Sequence, residues 1–93
     1  METIVKLDKY DLRKVQFAKH DVLIFPQKME ERNHEIQRGL IAGNTHKTPV
    51  RIIFEGDGQL MEIETTIWAV TESWVILKSD LMIPIRCIHE VIV

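Results

Sequence analysis

The hydrophobic pattern of this chain changes its period between Gly43 and Pro49, and that change limits the possible folds more than any other feature. Before it, apolar residues recur at helical spacing over Pro26–Ala42, which predicts one helix that begins at a proline and ends at a glycine. After it, apolar and polar residues alternate over Thr48–Val93, which predicts about five short strands. The sequence therefore combines one helix with a β-rich C-terminal half.

The predicted strands are separated by turn sequences at Glu55–Gln59, Thr71–Ser73 and Ser79–Asp80. The stretch Leu60–Val70 is long for one strand and becomes apolar on both faces from Ile67 onward, which indicates a bend at the corner of a barrel. We therefore expect a mainly β fold. In this fold an N-terminal helix precedes a small five-stranded antiparallel barrel of SH3-like or Sm-like type.

The length and composition predict a single domain over residues 1–93, with a helical and irregular half at 1–44 and the barrel at 48–93. A content of 45% hydrophobic and 28% charged residues is typical of a globular protein and not of a disordered one. Near the N-terminus, Ile4, Val5 and Leu7 predict a short strand, and Asp11 predicts the start of a short helix.

The single cysteine, Cys87, excludes an intramolecular disulfide framework and a zinc site built on several cysteines. The N-terminus lacks the apolar run of a signal peptide, and no apolar stretch approaches the roughly 20 residues that cross a bilayer. We therefore expect a cytoplasmic protein that does not bind membranes.

Charge is distributed unevenly, although the formal net charge is only −2. Residues 1–51 contain ten basic and seven acidic residues, whereas residues 52–93 contain two basic and seven acidic ones. Either the two halves attract each other within one fold, or the protein has two surfaces of opposite sign, one of which meets a partner.

No group of residues predicts catalysis or metal binding. The histidines lack ligand spacing, and Arg38 stands where a metalloprotease helix would need a second histidine after His34. Cys87 is expected to be a buried structural cysteine. Glu62 and Glu64 share a solvated strand face, where we expect them to meet basic residues of the N-terminal half or of another subunit. We therefore expect a non-enzymatic protein with no cofactor, no metal and no small-molecule substrate.

Few residues are candidates for contact with a partner. Trp74 lies next to a turn and is expected to be half exposed, whereas Trp68 stands among apolar residues and is predicted to belong to the core. The only basic-rich loop of the chain leads into the first strand of the barrel, and a further basic residue lies on the polar face of the helix. The candidate contact residues are Trp74, Lys47, Arg51, His46 and Arg32.

Part of the sequence resembles a family of short uncharacterised bacterial proteins, over roughly residues 29–93. The resemblance rests on Glu64-Thr-Thr-Ile-Trp-Ala-Val-Thr71, Val75-Ile-Leu-Lys78, Ile83-Pro-Ile85 and Ile88-His-Glu-Val91. That family implies no known activity. More loosely, the closing strands are similar to those of small bacterial Sm-like proteins, some of which regulate transcription or its termination by binding a protein. This second similarity implies fold more than function.

We therefore expect a protein-interaction or self-assembling module, and the alternative is an Sm-like RNA-binding protein. The terminal strand supports self-association because its last residues, Val91–Val93, are all apolar and no lysine or proline protects them. The extra apolar face must be covered, either by Val22–Phe25 of the same chain or by a second copy. Cover by the same chain is the favoured prediction.

Overall fold

The computed structural model describes residues 3–93, which form seven strands in two sheets and one helix in the middle of the sequence. Helix α1 spans Pro26–Ile41 and continues as a π-helical turn over Ala42–His46. Short 3-10 helices occupy Lys9–Lys14, Lys78–Asp80 and Ile85–Cys87. The strands are β1 (Val5–Lys6), β2 (Val50–Gly56), β3 (Gln59–Thr65), β4 (Ile67–Val70), β5 (Trp74–Leu77), β6 (Met82–Pro84) and β7 (Ile88–Ile92).

The larger sheet has the strand order β1–β3–β2–β7. Strands β2 and β3 form a hairpin whose turn residues, Asp57 and Gly58, have positive φ angles of 52° and 73°. Glycine adopts such angles without a steric cost and aspartate tolerates them, which confirms the turn predicted at Glu55–Gln59. Strand β1 confirms the predicted N-terminal strand and pairs in parallel with β3, Val5 opposite Met61.

Thr66 divides the long apolar stretch into two strands that belong to different sheets. β3 ends in the four-stranded sheet at Thr65, and β4 begins at Ile67 in a three-stranded sheet of order β4–β5–β6. The Thr66 carbonyl accepts a hydrogen bond of 2.9 Å from the backbone N–H of Lys78, which fixes the bend to the end of β5. The predicted bend in this stretch is confirmed.

The core lies among the two sheets, α1 and the first 3-10 helix. Both sheets contribute apolar side chains to it, α1 contributes Ile36, and the 3-10 helix contributes Leu12. Gly39 allows α1 to approach the sheets closely, because a Cβ atom there would lie 2.8 Å from Ile67 Cδ1 and 3.3 Å from Val91 Cγ1. Each buried Leu, Ile or Phe stabilises the fold by about 1.5–3 kcal/mol.

The prediction of an N-terminal helix followed by a five-stranded antiparallel barrel is wrong. The chain has seven strands in two sheets, one strand pair is parallel, and residues 3–93 form no closed barrel. The larger sheet does not close because its two edges are β1, from the N-terminal segment, and β7, which packs against α1. Alternation in a sequence specifies which residues face the core, but it does not specify which strands pair.

Helix α1 satisfies backbone groups of edge strand β7 with two charged side chains. Arg32 Nη1 donates a hydrogen bond of 3.1 Å to the carbonyl of Ile88, and the N–H of Val91 donates one of 2.8 Å to Glu35 Oε1. The prediction that Val22–Phe25 covers the apolar end of this strand is wrong, because Ile92 and Val93 are 40% and 62% exposed. The helix instead occupies two hydrogen-bonding groups of the β7 edge, and those two groups are not available to another strand.

Candidate functional site

The predicted contact residues lie in different parts of the molecule. Arg32 is buried, with 4% of its surface exposed, and its guanidinium binds both carboxylate oxygens of Asp21 at 2.8–2.9 Å. These hydrogen bonds lower the pKa of Asp21, against the opposing effect of burial. Arg32 thus joins α1 to the preceding loop and to β7, and a partner does not reach its side chain in the folded chain.

Two more predicted contact residues are engaged within the fold. Arg51 Nη1 lies 3.3 Å from Glu62 Oε1 on the outer face of the larger sheet, so the expected contact of Glu62 with a basic residue of the N-terminal half is present. Trp74 is half buried in β5, and its backbone N–H donates a hydrogen bond of 3.0 Å to Thr71 Oγ1. Its partial exposure agrees with the prediction, but it lines none of the described depressions that we consider below.

The last two predicted contact residues, His46 and Lys47, lie at the exposed end of the π-helical turn. Lys47 lines a depression of about 360 Å³. We name this surface the Trp68 depression. Its walls come from the end of α1, from the bend between β3 and β4, and from the residue after β5. The residues that line it are Gly43, Asn44, Lys47, Thr66, Trp68 and Lys78.

Irregular backbone at the end of α1 forms one wall of the Trp68 depression. The helix widens into a π turn at Ala42–His46, and the N–H groups of both Lys47 and Thr48 donate to the carbonyl of Ala42. Lys47 then adopts a left-handed conformation with a φ of 52°. π turns and left-handed residues other than glycine are uncommon and concentrate at functional sites. Two such features meet in this wall.

Gly43 brings this wall against β4. A Cβ atom at Gly43 would lie 2.1 Å from the carbonyl oxygen of Ile67 and 3.1 Å from Thr66 Cγ2, so only glycine fits here without a shift of the backbone. Gly43 is predicted to end the helix, but it lies inside the π turn and its φ is not positive. Its role here is to let the turn approach β4.

Trp68 lies at a bulge in β4 and is exposed. The register between β4 and β5 shifts between Ile67 and Ala69, so Trp68 is the additional residue of the bulge. Its neighbour Ile67 is fully buried, whereas 46% of Trp68 is exposed. The prediction that Trp68 belongs to the core is therefore wrong. Successive side chains of a strand point to opposite faces, so Trp68 lies opposite the buried Ile67, on a face where its ring stays half exposed.

The electrostatic character of the depression differs from that of the molecule. Two lysines, Lys47 and Lys78, line it together with the polar side chains of Asn44 and Thr66, and none of its lining residues is acidic. The C-terminal half that supplies Lys78 has two basic and seven acidic residues. The Trp68 depression therefore combines a positive local charge with an exposed aromatic ring, on a protein whose net charge is negative.

The largest depression, of about 540 Å³, is a weaker candidate. It lies beside the β2–β3 turn, where Lys19 faces a lining that includes Glu55 and Asp57. The Asp57 carboxylate already accepts a hydrogen bond of 2.9 Å from the N–H of Gln16, and Glu55 Oε1 lies 3.2 Å from His89 Nε2. These groups are used to hold the N-terminal segment and β7 against the hairpin.

Cys87 is confirmed as a buried cysteine and lacks the surroundings of a nucleophile. Its Sγ donates a hydrogen bond of 3.3 Å to the carbonyl of Ala18, and burial raises the pKa of the thiol. A raised pKa disfavours the thiolate, which is the reactive form. His89, the imidazole closest to it in the sequence, is directed to Glu55 instead.

Within residues 3–93, no three side chains of the metal-binding types converge, and no helix is long and apolar enough to cross a membrane.

No protein-family model matches the chain, and searches of curated proteins and of solved structures find no significant match. The resemblance to small bacterial proteins thus stays a prediction. Function is inferred below from the residues of the site alone.

The sequence pattern points to Lys47 but not to the other residues of the Trp68 depression. Gly43-Asn44 indicates only a helix end, and Lys78 only the last residue of a strand. Trp68 carries no signal of exposure, since its neighbours in the sequence are apolar. The depression forms because the bend at Thr66 brings three separate segments together, and no local pattern specifies that approach.

Proposed function

We propose that this protein is a non-enzymatic protein-interaction module that uses the Trp68 depression to bind an acidic segment of a partner protein. One observation carries the proposal. Trp68 is half exposed in a depression whose lining includes two lysines and no acidic residue. Tryptophan is enriched among the residues that dominate the binding energy of protein interfaces, because it buries a large apolar area with few rotatable bonds.

Each group in the depression has a counterpart in such a segment. An apolar side chain of the partner packs on the Trp68 ring, and carboxylates of the partner meet the ammonium groups of Lys47 and Lys78. Asn44 and Thr66 offer donors and acceptors to the backbone of the partner. A volume of about 360 Å³ is at the lower end of the range of ligand sites, so it accommodates a short segment and not a folded domain.

Single-stranded RNA is the second candidate, because lysines beside an exposed tryptophan also suit phosphates and a stacked base. The charge distribution favours protein over RNA. Non-specific affinity for RNA arises mainly from counterion release by several clustered basic residues, and two lysines with His46 nearby supply few such contacts. The formal charge of −2 adds no attraction over longer distances.

Selection of randomised peptides displayed on phage tests the proposal across a wide range of partner sequences. The full chain is immobilised, and the selection is repeated on Lys47→Glu and Lys78→Glu. Lys19→Glu is the matched control, since Lys19 is an exposed lysine outside the depression and its replacement changes the net charge equally. We expect peptides that combine Asp or Glu with a large apolar residue.

These peptides should bind the wild-type chain and Lys19→Glu alike, and they should lose at least about tenfold in affinity on Lys78→Glu, which corresponds to about 1.4 kcal/mol. Enrichment of basic peptides contradicts the proposal. So does an acidic consensus that binds both depression variants as tightly as the wild-type chain. An oligouridylate that binds more tightly than every selected peptide favours the RNA candidate.

A further inference from the structure

A second surface, separate from the Trp68 depression, lies between the 3-10 helix Lys9–Lys14 and the turn that joins β5 to β6. Two depressions of about 270 and 230 Å³ share Arg13 and Leu81 and so form one groove, which we name the Tyr10 groove. Its base is apolar, because Leu12 and Leu81 are buried there.

The groove has the composition of an interface. Tyr10 is 77% exposed and Met82 is 40% exposed, although both border an apolar base. Tyrosine, methionine and arginine are the residue types that interfaces prefer over the rest of a protein surface. On the side of the 3-10 helix the rim is basic, with Lys9 and Arg13, and Asp80 lies on the side of the turn.

The same chain carries an apolar projection that nothing in the described residues covers. Ile24 and Phe25, which we name the Phe25 knob, are 81% and 66% exposed. The backbone on both sides of the knob is held in place. The N–H of Val22 donates to the carbonyl of Arg86 at 2.9 Å, and the N–H of Leu23 donates to Asp21 Oδ1 at 2.8 Å.

Pro26 then begins α1, and the residue before a proline is restricted to extended conformations, as the φ and ψ of Phe25 (−89° and 130°) show. The knob is therefore presented by a fixed backbone on both of its sides. A contact made by such a preformed segment loses little conformational entropy on binding.

We infer that the Phe25 knob of one chain inserts into the Tyr10 groove of a second copy. Neither Ile24 nor Phe25 lines the groove of its own chain, so the chain does not fill its own groove. The apolar knob matches the apolar base. The charges match as well, because exposed Glu30 and Glu31 follow the knob on α1, whereas Lys9 and Arg13 form the rim of the groove.

Lys28 Nζ lies 3.4 Å from Glu31 Oε2, whereas the nearest basic group to Glu30 Oε1 is the imidazole of His34 at 3.9 Å, which is charged only when protonated. We therefore assign the contact with the basic rim to Glu30. If two chains exchange knobs, the interface is closed and two-fold symmetric, and if each knob enters the next chain, the contact propagates. Either arrangement buries a small area, so we expect a dissociation constant in the micromolar range.

Sedimentation velocity of the full chain, from low micromolar to several hundred micromolar, tests the inference. We expect reversible, concentration-dependent association of the wild-type chain. Phe25→Ser and Arg13→Glu should each weaken it by at least about tenfold. Glu30→Arg combined with Arg13→Glu in one chain should restore part of the loss, because the reversed charges again attract. Ile41→Ser is the control, since Ile41 is 59% exposed at the other end of α1.

All changed residues are exposed, so circular dichroism should show each variant folded like the wild-type chain. A wild-type chain that stays monomeric over the whole concentration range overturns the inference. Association that survives both Phe25→Ser and Arg13→Glu also overturns it. Lys47→Glu, in the Trp68 depression and away from the groove, should not change the association. If it abolishes the association while Phe25→Ser does not, the Trp68 depression is the interface between copies instead.

Discussion

Trp68 shows how one residue in a strand can change the chemistry of a surface. Ile67 is fully buried, and Trp68, the next residue of β4, points to the opposite face of the strand and is 46% exposed. An apolar sequence around a tryptophan normally indicates a core position, but apolar neighbours do not show that both faces of the strand are covered. The exposed ring then lies in one depression with Lys47 and Lys78, and that combination is the basis of the proposed function.

We predict that Trp68→Ala costs at most about 1 kcal/mol of unfolding free energy, because a half-exposed side chain outside the core leaves no closed cavity. Phe54→Ala, at a residue with no exposed surface, should cost about 3–5 kcal/mol. Urea denaturation of both variants measures the difference. Equal losses for the two would place the Trp68 ring in the core and contradict the described depression.

The ion pair between Asp21 and Arg32 gives a second prediction at this scale. The pKa of Asp21 is lowered in the folded chain, chiefly by the hydrogen bonds from Arg32. The unfolded chain therefore binds this proton more readily, so the pair stabilises the fold at pH values above the unfolded pKa of about 3.9. Its contribution is lost as the pH falls through the lower pKa of the folded state.

Urea denaturation between about pH 5 and pH 2 should show that the wild-type chain loses more stability than Asp21→Asn does over this window. The two proteins differ in no other carboxylate, so the difference between their curves reports the Asp21 carboxylate, with its contacts to Arg32 and to the N–H of Leu23. Parallel curves would mean that Arg32 does not bind a charged Asp21.

At the scale of elements, the end of α1 connects the fold to the site. The helix ends in a π turn, Gly43 rests against the carbonyl of Ile67, and Lys47 leaves the helix in a left-handed conformation. The same helix occupies the edge of β7 through Arg32 and Glu35. One element thus occupies part of an edge of the larger sheet and forms a wall of the depression.

We predict that Gly43→Ala destabilises the chain by about 1–3 kcal/mol, since the new Cβ meets the backbone of β4, which cannot move without disturbing the sheet. Gly39→Ala should cost less, because the closest atom there is the flexible end of the Ile67 side chain, at 2.8 Å. Thermal unfolding of the two variants shows which of them is the less stable. A Gly43→Ala variant as stable as the wild-type chain would show that the helix end does not contact β4.

The elements themselves were largely predictable. Helical spacing located the helix predicted at Pro26–Ala42, and the structure has it at Pro26–Ile41. Alternation and turn residues located the hairpin at Asp57-Gly58 and the bend within Leu60–Val70. These features depend on residues close together in the sequence, so local patterns contain the information.

At the scale of the whole molecule, the sequence was a poor guide. Which strands pair depends on contacts between distant segments, such as β1 with β3 and α1 with β7, and periodicity carries no information about them. The same limit applies to the Trp68 depression, which joins residues from three segments between Gly43 and Lys78. Lys47 was predictable because its loop is basic, whereas the approach of Trp68 and Lys78 to it is a property of the fold.

The proposed interaction follows from a contrast over the whole surface. The chain carries a net charge of −2, yet the Trp68 depression has two lysines and no acid among its lining residues. An acidic segment therefore meets two ammonium groups at the depression, whereas the rest of the C-terminal half has seven acidic residues and one basic residue, Arg86. This contrast, more than the size of the depression, is what should make the contact specific.

The fluorescence of Trp68 tests this account most directly. Trp74→Phe leaves Trp68 as the only tryptophan, so its emission reports occupancy of the depression. The variant is titrated with the best acidic peptide from the selection and with an octauridylate at physiological salt. We predict a saturable change with the peptide that weakens at least about tenfold on adding Lys78→Glu, and no affinity for octauridylate better than micromolar. Peptide binding that leaves the Trp68 emission unchanged, or tight octauridylate binding that falls steeply with salt and is lost on Lys47→Glu, would contradict it.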